Sequence, residues 1–331
     1  TALNLTSGTV TGTGTLTALT YALSGGVVAG TLGTGVATVT GSVSLIGITL
    51  ADNLNINSGG TLTLGASERI GASTNVVVNI GQLDLGVNSN TVGGFTLQGG
   101  GILNGSGKLS TGLYDLRGGV GNANLNGTAD ALLVNVVSGS LVLGGTNRLA
   151  SGATTNVSGG LLDTALYANT ISAFNLSGGM VSGSGTLTAS TYTLSGGEVA
   201  GLLGAGTATV TGGVSLTGTI NATTLNITNN GVLTLGSAER IGNATVLDIS
   251  AGTLALGAYS ETVGAMTLRN GGVLAGTGTL TALTYALQGG IVNANLGLGV
   301  ATVTTDVTTL NGALAATTVG IGSGRLLLGS T

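Results

Sequence analysis

The stretch Gly12–Leu23 reads GTGTLTALTYAL, and it returns letter for letter at Gly276–Leu287. Altered copies stand at Gly105–Leu116 (GSGKLSTGLYDL) and Gly183–Leu194 (GSGTLTASTYTL). The first and third intervals between successive copies are equal, and the second is shorter. The interval from Gly12 to Gly183, which we name the long offset, therefore carries the first copy to the third and the second to the fourth. Such internal similarity at regular offsets is the sequence signature of a repeat architecture.

The whole chain, residues 1–331, is predicted to be one continuous repeat array. Its length alone would suggest about two globular domains, but repeat proteins grow by stacking units and need no separate cores. The copies delimit blocks 12–104, 105–182, 183–275 and 276–331. The second block is shorter than the first and third, which one missing turn between Leu116 and Val134 would explain. Because the pattern is already under way at Thr1, we expect the sequence to be an excerpt of a longer chain.

A smaller unit of about 15–24 residues recurs within the blocks, a period close to those of solenoid proteins. In one unit a short strand, Leu54–Ile56, is followed by a Ser-Gly-Gly corner and then by a second strand, Thr61–Leu64. Alternation of apolar and polar residues with a period of two indicates strands, and glycine supplies the positive φ that tight corners need. No stretch shows the apolar spacing of a helix over three turns.

The predicted fold class is all-β: a single-chain parallel β-helix, or solenoid, with about 18 turns and no helix. Two short strands cannot bury their apolar faces alone, whereas turns stacked about 4.8 Å apart enclose a continuous core. Right-handed coiling is expected from the right-handed twist of strands. Equivalent side chains should form core columns, which contain Tyr21, Leu23, Leu54, Ile56, Phe95, Leu97, Tyr114, Leu116, Phe174, Leu176, Tyr192, Leu194, Met266, Leu268, Tyr285 and Leu287.

Composition excludes several classes of function. The chain has 65 Gly and no Pro, Cys, His or Trp, and it is 42% hydrophobic and 5% charged, which predicts order rather than disorder. The lack of Cys and His removes disulfides, thiolate chemistry, the commonest general base and the commonest metal ligand, so we expect no cofactor. Only 7 basic residues are present, too few to make nucleic acid an expected partner. Residues 1–51 are uncharged, but polar residues interrupt them too often for a membrane span.

Three turns carry extra residues and are expected to bulge as loops: Gly65–Thr74 (GASERIGAST), Gly144–Thr154 (GGTNRLASGAT) and Gly236–Thr245 (GSAERIGNAT). We name them the first, second and third wide turns and expect about 22–24 residues in each full turn, the upper end of the period. Charged side chains recur at matching places in them, namely Glu68, Arg69, Arg148, Glu239 and Arg240. One interpretation is a ridge that contacts a ligand. The other is a solvated Glu–Arg ion pair that keeps the loop in water and contributes little to stability.

The remaining charges do not predict a catalytic or metal site. Catalysis by paired carboxylates needs two acids within about 5–10 Å, and the acids outside the wide turns are dispersed along the chain as Asp52, Asp84, Asp115, Asp130, Asp163, Glu198, Asp248, Glu261 and Asp306. The stretch Gly118–Ala123 (GGVGNA) lacks the Asp of a calcium-binding nonapeptide repeat. Arg117 and Arg269 replace the Ser of the Ser-Gly-Gly corner and are expected to be solvated.

Threonines recur in pairs two positions apart: Thr9 and Thr11, Thr15 and Thr17, Thr38 and Thr40, Thr61 and Thr63, Thr186 and Thr188, Thr209 and Thr211, and Thr302 and Thr304. Stacked on one flat face, such pairs would resemble the arrays of ice-binding β-helices. Threonine also has a high strand propensity and suits the outward positions of any alternating strand. Because the pairs fall on different strands of the turn, one continuous threonine face is not expected.

The unit of Leu-x-Leu-Ser-Gly-Gly followed by Thr-Leu-Thr-Leu-Gly resembles bacterial secreted and surface β-helix proteins, over the whole chain. The groups it is similar to are autotransporter passenger repeats, filamentous-haemagglutinin-like exoproteins and giant surface repeat proteins. The resemblance implies an extracellular or cell-surface location and a role as fibre, stalk or adhesin shaft.

The expected function is that of a non-enzymatic extracellular structural protein, a β-helical fibre or stalk segment. Unpaired strand edges at the two ends would template further pairing, so the expected partner is a second copy or further repeats of the same chain. The alternatives are an adhesin shaft that binds cell-surface glycans or proteins, an ice-binding protein with threonine arrays, and a disfavoured polysaccharide lyase or hydrolase.

Overall fold

The computed structural model describes residues 1–121, 124–126 and 133–329, with the backbone alone for 124–126. It contains two compact units, Thr1–Ser172 and Ala173–Thr331. Within each unit all strand pairs are parallel, and every turn of chain stacks on the one before it, so each unit is a parallel β-solenoid. The two units together hold about 17 turns, against the 18 expected. The predicted all-β solenoid is thus confirmed, while its right-handed sense stays a prediction.

The strands of the first unit are β1 (Ala2–Leu5), β2 (Thr9–Val10), β3 (Thr15–Leu16), β4 (Thr20–Val28), β5 (Thr31–Leu32), β6 (Val36–Leu45), β7 (Ile48–Thr49), β8 (Asn53–Asn57), β9 (Thr61–Leu64), β10 (Asn75–Asn79), β11 (Gln82–Asp84), β12 (Asn90–Thr91), β13 (Gly94–Asn104), β14 (Lys108–Ser110), β15 (Leu113–Gly121), β16 (Asn124–Asn126), β17 (Leu133–Val136), β18 (Ser140–Leu143), β19 (Thr154–Val157) and β20 (Leu161–Asp163). Strand β21 (Asn169–Leu176) contains the boundary between the units.

The strands of the second unit are β22 (Met180–Ser182), β23 (Thr186–Val199), β24 (Leu202–Leu203), β25 (Thr207–Leu216), β26 (Thr219–Ile220), β27 (Thr224–Thr228), β28 (Val232–Leu235), β29 (Val246–Ser250), β30 (Thr253–Gly257), β31 (Glu261–Gly276), β32 (Thr279–Val292), β33 (Asn295–Leu296), β34 (Val300–Val303), β35 (Val307–Leu310), β36 (Thr318–Ile321) and β37 (Arg325–Leu328). Among the described residues there is no helix, and hence none that could cross a membrane.

Each turn presents up to three faces. The first face holds strands such as β8, and the second holds strands that follow the Ser-Gly-Gly corner, such as β9, as the sequence predicts. The sequence predicts only two strands in each unit, so it does not predict the third face. It consists of strands of two or three residues, which pair as β3–β5–β7 and β12–β14–β16 in the first unit. In the second unit the two-residue strands β24 and β26 pair with each other, and β24 also pairs with Thr186 and Leu187 at the start of the long strand β23.

The first face carries the core columns in strict register. Tyr21 pairs with Ala37, Ala37 with Leu54, Leu54 with Val76, and Val76 with Phe95. The column side chains inferred from the sequence are all buried. Two aromatic pairs pack edge to face within it: the ring centroids of Phe95 and Tyr114 are 6.0 Å apart, and those of Phe174 and Tyr192 are 6.5 Å apart. Such pairs add about 0.5–1.5 kcal/mol beyond the area they bury.

The register also accounts for the short second block. In the first block, two pairing steps lead from Tyr21 through Ala37 to Leu54, whose next partner across the first wide turn is Val76. In the second block, Tyr114 pairs directly with Val134, which already precedes the second wide turn. One turn is therefore absent between Tyr114 and Val134, the place inferred from the spacing.

Tyrosine hydroxyls tie successive corners together. Tyr21 Oη accepts the N–H of Ala18 at 2.9 Å and lies 3.0 Å from the carbonyl oxygen of Leu16 and 3.1 Å from that of Thr34, one turn further along the chain. The same contacts recur with Ala189, Leu187 and Ala205 around Tyr192, and with Ala282, Leu280 and Leu298 around Tyr285. The tyrosine of the repeated stretch is thus both a core side chain and a corner brace.

Glycine is required in the corners that receive Tyr192 and Tyr285. Gly206 has a φ of 139°, and a methyl group there would lie 2.0 Å from the carbonyl oxygen of Ala189 and 2.9 Å from the ring of Tyr192. Gly299 has a φ of 146° and would meet Ala282 and Tyr285 in the same way. The two glycines are separated by the same interval as the two tyrosines, so the repeat carries the brace and the space for it together.

Candidate functional site

The wide turns leave the second face and cross the third as loops. In the first wide turn only Ile70 still pairs on the third face, with Thr49. In the third wide turn only Ile241 does so, with Ile220. The expected loops are therefore present, and the first and third each retain a single residue in the third face.

The register across the first face gives the lengths of these turns. Leu54 pairs with Val76 across the first wide turn, and Val134 pairs with Thr155 across the second. Both intervals exceed that of an ordinary turn, such as the one from Tyr21 to its partner in β6. The wide turns are thus the longer ones, as predicted, and their lengths fall at or just below the lower end of the expected range.

One residue in each loop adopts a left-handed conformation. The φ angles are 54° at Glu68, 50° at Asn147 and 53° at Glu239. The backbone N–H of each then donates to a carbonyl of the following turn, at Ser89, Ala168 and Ser260 respectively. Non-glycine residues seldom have positive φ, so this shared geometry marks the three loops as copies of one local structure.

Glu68 and Arg69 contact different turns, not each other. Glu68 Oε2 accepts the N–H of Thr91 at 3.0 Å in the following turn. Arg69 Nε donates to the carbonyl of Ser67 at 2.9 Å, and its Nη1 donates to Ile46 at 3.3 Å in the preceding turn. The interpretation of a Glu–Arg ion pair is therefore wrong. An exposed pair gains little, whereas these side chains saturate backbone groups on both sides of the loop.

The third wide turn repeats this arrangement. Glu239 Oε1 accepts the hydroxyl of Thr262 at 3.2 Å, Arg240 Nε donates to Ala238 at 2.9 Å, and Arg240 Nη1 lies 3.5 Å from the carbonyl of Thr217. In the second wide turn Asn147 stands in place of the glutamate, and Arg148 is half-buried. The candidate contact residues thus lie at equivalent surface positions, and each described carboxylate or guanidinium of the first and third loops joins neighbouring turns.

Sequence reasoning missed the buried side chain beneath each loop. In the following turn Asn90, Asn169 and Glu261 are almost fully buried. Asn90 Oδ1 accepts the N–H of Ile70 at 2.9 Å, and its Nδ2 donates to the carbonyl of Ile70 at 2.9 Å. Asn169 Oδ1 accepts the N–H of Arg148 at 2.8 Å. The signal was present as Asn-Thr-Val, Asn-Thr-Ile and Glu-Thr-Val, each at the same interval after the arginine of its loop.

Glu261 is the electrostatic exception among these anchors. It is 1% exposed, and its Oε2 and Oε1 accept the N–H groups of Arg240 and Ile241, both at 2.9 Å. Burial raises the pKa of Glu261 to about 7; the two backbone N–H groups and the charge of Arg240 act in the opposite direction, and the charge of Glu239 adds to the rise. Loss of hydration disfavours the charged form of a buried acid.

Several of the other charged side chains also bind neighbouring groups. Arg117 pairs with Asp115 at 2.8 Å and Arg269 with Asp248 at 2.6 Å, and hydrogen bonding to the aspartate raises the pKa of both guanidiniums. Both arginines are exposed, as expected for a corner, but each is paired. Asp52, Asp84, Asp163 and Glu198 accept hydrogen bonds from Gly35, Gly86, Ala165 and Thr217. Three residues named in the sequence analysis lie outside the described residues: Asp130, and Asn122 and Ala123 of the stretch Gly118–Ala123.

The threonine pairs are spread over all three faces. Thr15 lies on the third face, Thr38 on the first and Thr61 on the second. The longest described stack in register lies on the first face of the second unit, where Thr191 pairs with Thr207 and Thr207 with Thr224. Beside it Thr193 pairs with Thr209, which pairs with Asn226.

An uncharged groove runs along the corner between the third and first faces of the second unit. One depression of about 300 Å³ is lined by Asn221, Thr223 and Thr245, among others, and one of about 430 Å³ by residues that include Leu283 and Leu298. Asn243 lines both depressions. Leu283 and Leu298 are 76% and 66% exposed, so the groove offers apolar side chains to solvent next to threonine hydroxyls.

Comparison with known proteins adds no family to this description. No protein-family model matches the chain, and neither a curated protein nor a solved structure is significantly similar to it.

Proposed function

We propose that this chain is a non-enzymatic extracellular structural protein, a segment of a β-helical fibre or stalk that self-associates or continues end to end through its strands. The observation that carries the proposal is that side chains which join one turn to the next are retained between the repeats.

The retained contacts can be followed at the long offset. Ser24 Oγ donates to the carbonyl of Leu5, and Ser195 Oγ donates to Leu176. Thr74 Oγ1 donates to Ala51 at 2.6 Å, and Thr245 Oγ1 donates to Ala222 at 2.6 Å. The tyrosine braces, their glycines and the Glu–Arg loop contacts follow the same offset. Repetition has thus preserved stacking, which is the mechanical requirement of a fibre.

The test is to locate the protein and to observe its assembly. Antibodies raised against the chain should label filaments or the outer surface of intact source cells in immunoelectron microscopy. The purified chain should form assemblies that grow with protein concentration, since pairing between strand edges is bimolecular. Exclusively intracellular label, or particles whose size is independent of concentration up to the solubility limit, would overturn the proposal.

The groove of the second unit favours an adhesin shaft as a second candidate function. An uncharged surface that combines threonine hydroxyls with exposed leucines fits a neutral saccharide or an apolar peptide better than a charged ligand. Saturable binding to a panel of neutral glycans, lost in Leu283→Ser, would support it. Leu19→Ser is the matched control, because Leu19 holds the same place in the identical copy of the repeat and is similarly exposed.

If the wide turns bind the ligand instead, substitution of Arg69, Arg148 and Arg240 by Gln should abolish binding, while Leu283→Ser should not. Binding that survives all four substitutions would contradict the adhesin function at both surfaces.

A further inference from the structure

The third wide turn differs from the other two in the side chain that supports it. Asn90 and Asn169 are neutral amides, whereas Glu261 is a carboxyl group at the equivalent buried position. Glu261 is followed by Thr-Val-Gly, as Asn90 is, so the local structure is the same and only the ionisable group is different. The first wide turn, supported by Asn90, is therefore an internal control for the effect of protonating Glu261 on the third wide turn.

The buried position accommodates two hydrogen-bond patterns. An amide accepts from a backbone N–H and donates to a backbone carbonyl, as Asn90 does with both groups of Ile70. A carboxylate can only accept, and Glu261 accepts the N–H groups of Arg240 and Ile241. A protonated carboxyl group can both accept and donate, so it can reproduce the pattern of the asparagine.

The charged and titratable groups near Glu261 decide whether its protonated or its ionised form is the more stable. The preceding turn contributes the repulsive carboxylate of Glu239 and the attractive guanidinium of Arg240, the latter bound to the carbonyl of Ala238. In the following turn Leu280 pairs with Glu261, and the residues 277–284 of that turn include no ionisable side chain. The nearby hydroxyl of Tyr285 is bound to the carbonyl of Leu280.

We propose that Glu261 is a proton-operated latch, which holds the third wide turn closed when protonated and loosens that turn, with Glu239 and Arg240 on it, when ionised. The sign follows from linkage. Folding raises the pKa of Glu261 from 4.5 to about 7, so in that window the folded chain binds a proton that the open chain does not. The resulting stabilisation is complete below about pH 4.5, declines as the pH rises toward 7, and is lost above 7.

Amide hydrogen exchange of the whole chain tests the latch. After correction for intrinsic exchange rates, protection of the Arg240 and Ile241 amides should fall on the order of a hundredfold between pH 5 and pH 8, because one pKa unit is a factor of ten. Protection of the Ile70 amide, which binds Asn90, should stay constant over the same range. Equal pH dependence at both loops, or none at either, would overturn the proposal.

Two variants complete the design. Glu261→Asn copies the first wide turn and should remove the pH dependence; Asn90→Glu should transfer it to residues 65–74. Retention of the pH dependence in Glu261→Asn contradicts the latch. If either variant fails to fold, ¹³C NMR of glutamate-labelled native protein still decides, since the Glu261 carboxyl must titrate near pH 7 and a midpoint below pH 5 rejects the proposal.

Discussion

At the scale of single residues, the polar groups of the core set stricter requirements on their partners than its apolar side chains do. A leucine column can be built in many ways, but each tyrosine of the repeat brings a hydroxyl into the core and must satisfy it there. Tyr192 and Tyr285 do so at their own corner and at the next. Burial raises the pKa of both phenols, which keeps them protonated and able to donate.

Removing one such hydroxyl should destabilise the solenoid. In Tyr285→Phe the N–H of Ala282 loses its bond to the hydroxyl, and an unsatisfied buried group costs about 1–3 kcal/mol. Urea denaturation followed by circular dichroism measures the loss. Tyr259→Phe is the control: Tyr259 is 39% exposed, and its substitution should change stability by less than about 0.5 kcal/mol. Equal effects of the two variants would contradict the brace.

Adding one methyl group at the receiving corner should be at least as damaging. Gly206→Ala places a Cβ against Ala189 and Tyr192 in a backbone conformation that suits only glycine, so we expect a loss of roughly 2–4 kcal/mol. In Gly213→Ala the new methyl group meets no atom within 4 Å, and stability should be unchanged or slightly raised. Thermal melting of the two variants side by side gives the comparison.

At the scale of elements, the sequence predicts what depends on alternation and misses what depends on contact between turns. First- and second-face strands such as β8 and β9 are four or five residues long and show a period of two. Third-face strands such as β5 have two residues, too few for any periodicity. The partners of Glu68 and Arg69 lie 23 residues away in opposite directions, and this distance has no local signature. In the sequence Glu261 looks like one more dispersed acid, because its partners Arg240 and Ile241 lie one turn away along the chain.

Because each turn contacts only its neighbours, a whole turn should be removable. Deleting residues 37–53 would pair Tyr21 directly with Leu54, the arrangement that Tyr114 and Val134 already have. We expect a folded chain with parallel β structure and a modestly lower melting temperature. Deletion of residues 37–44 removes about half a turn, brings different faces into register and should prevent cooperative melting. If both deletions behave alike, stacking in register is not what stabilises the unit.

At the scale of the whole molecule, the established fold and the proposed function depend on the same feature, the stacking of one turn on the next. Each unit stacks its strands in parallel and in register, and the repeats preserve the contacts that make this stacking possible. The proposed fibre requires that the same stacking direction become the direction of assembly. The latch at Glu261 is independent of that requirement, since it acts between two adjacent turns of the same chain.

The most direct test of the central claim is diffraction from aligned assemblies of the purified chain. Strands that stack along the axis of a fibre predict a strong reflection at about 4.8 Å parallel to that axis. Ordered assemblies in which this reflection is absent, or lies perpendicular to the axis, would contradict the account.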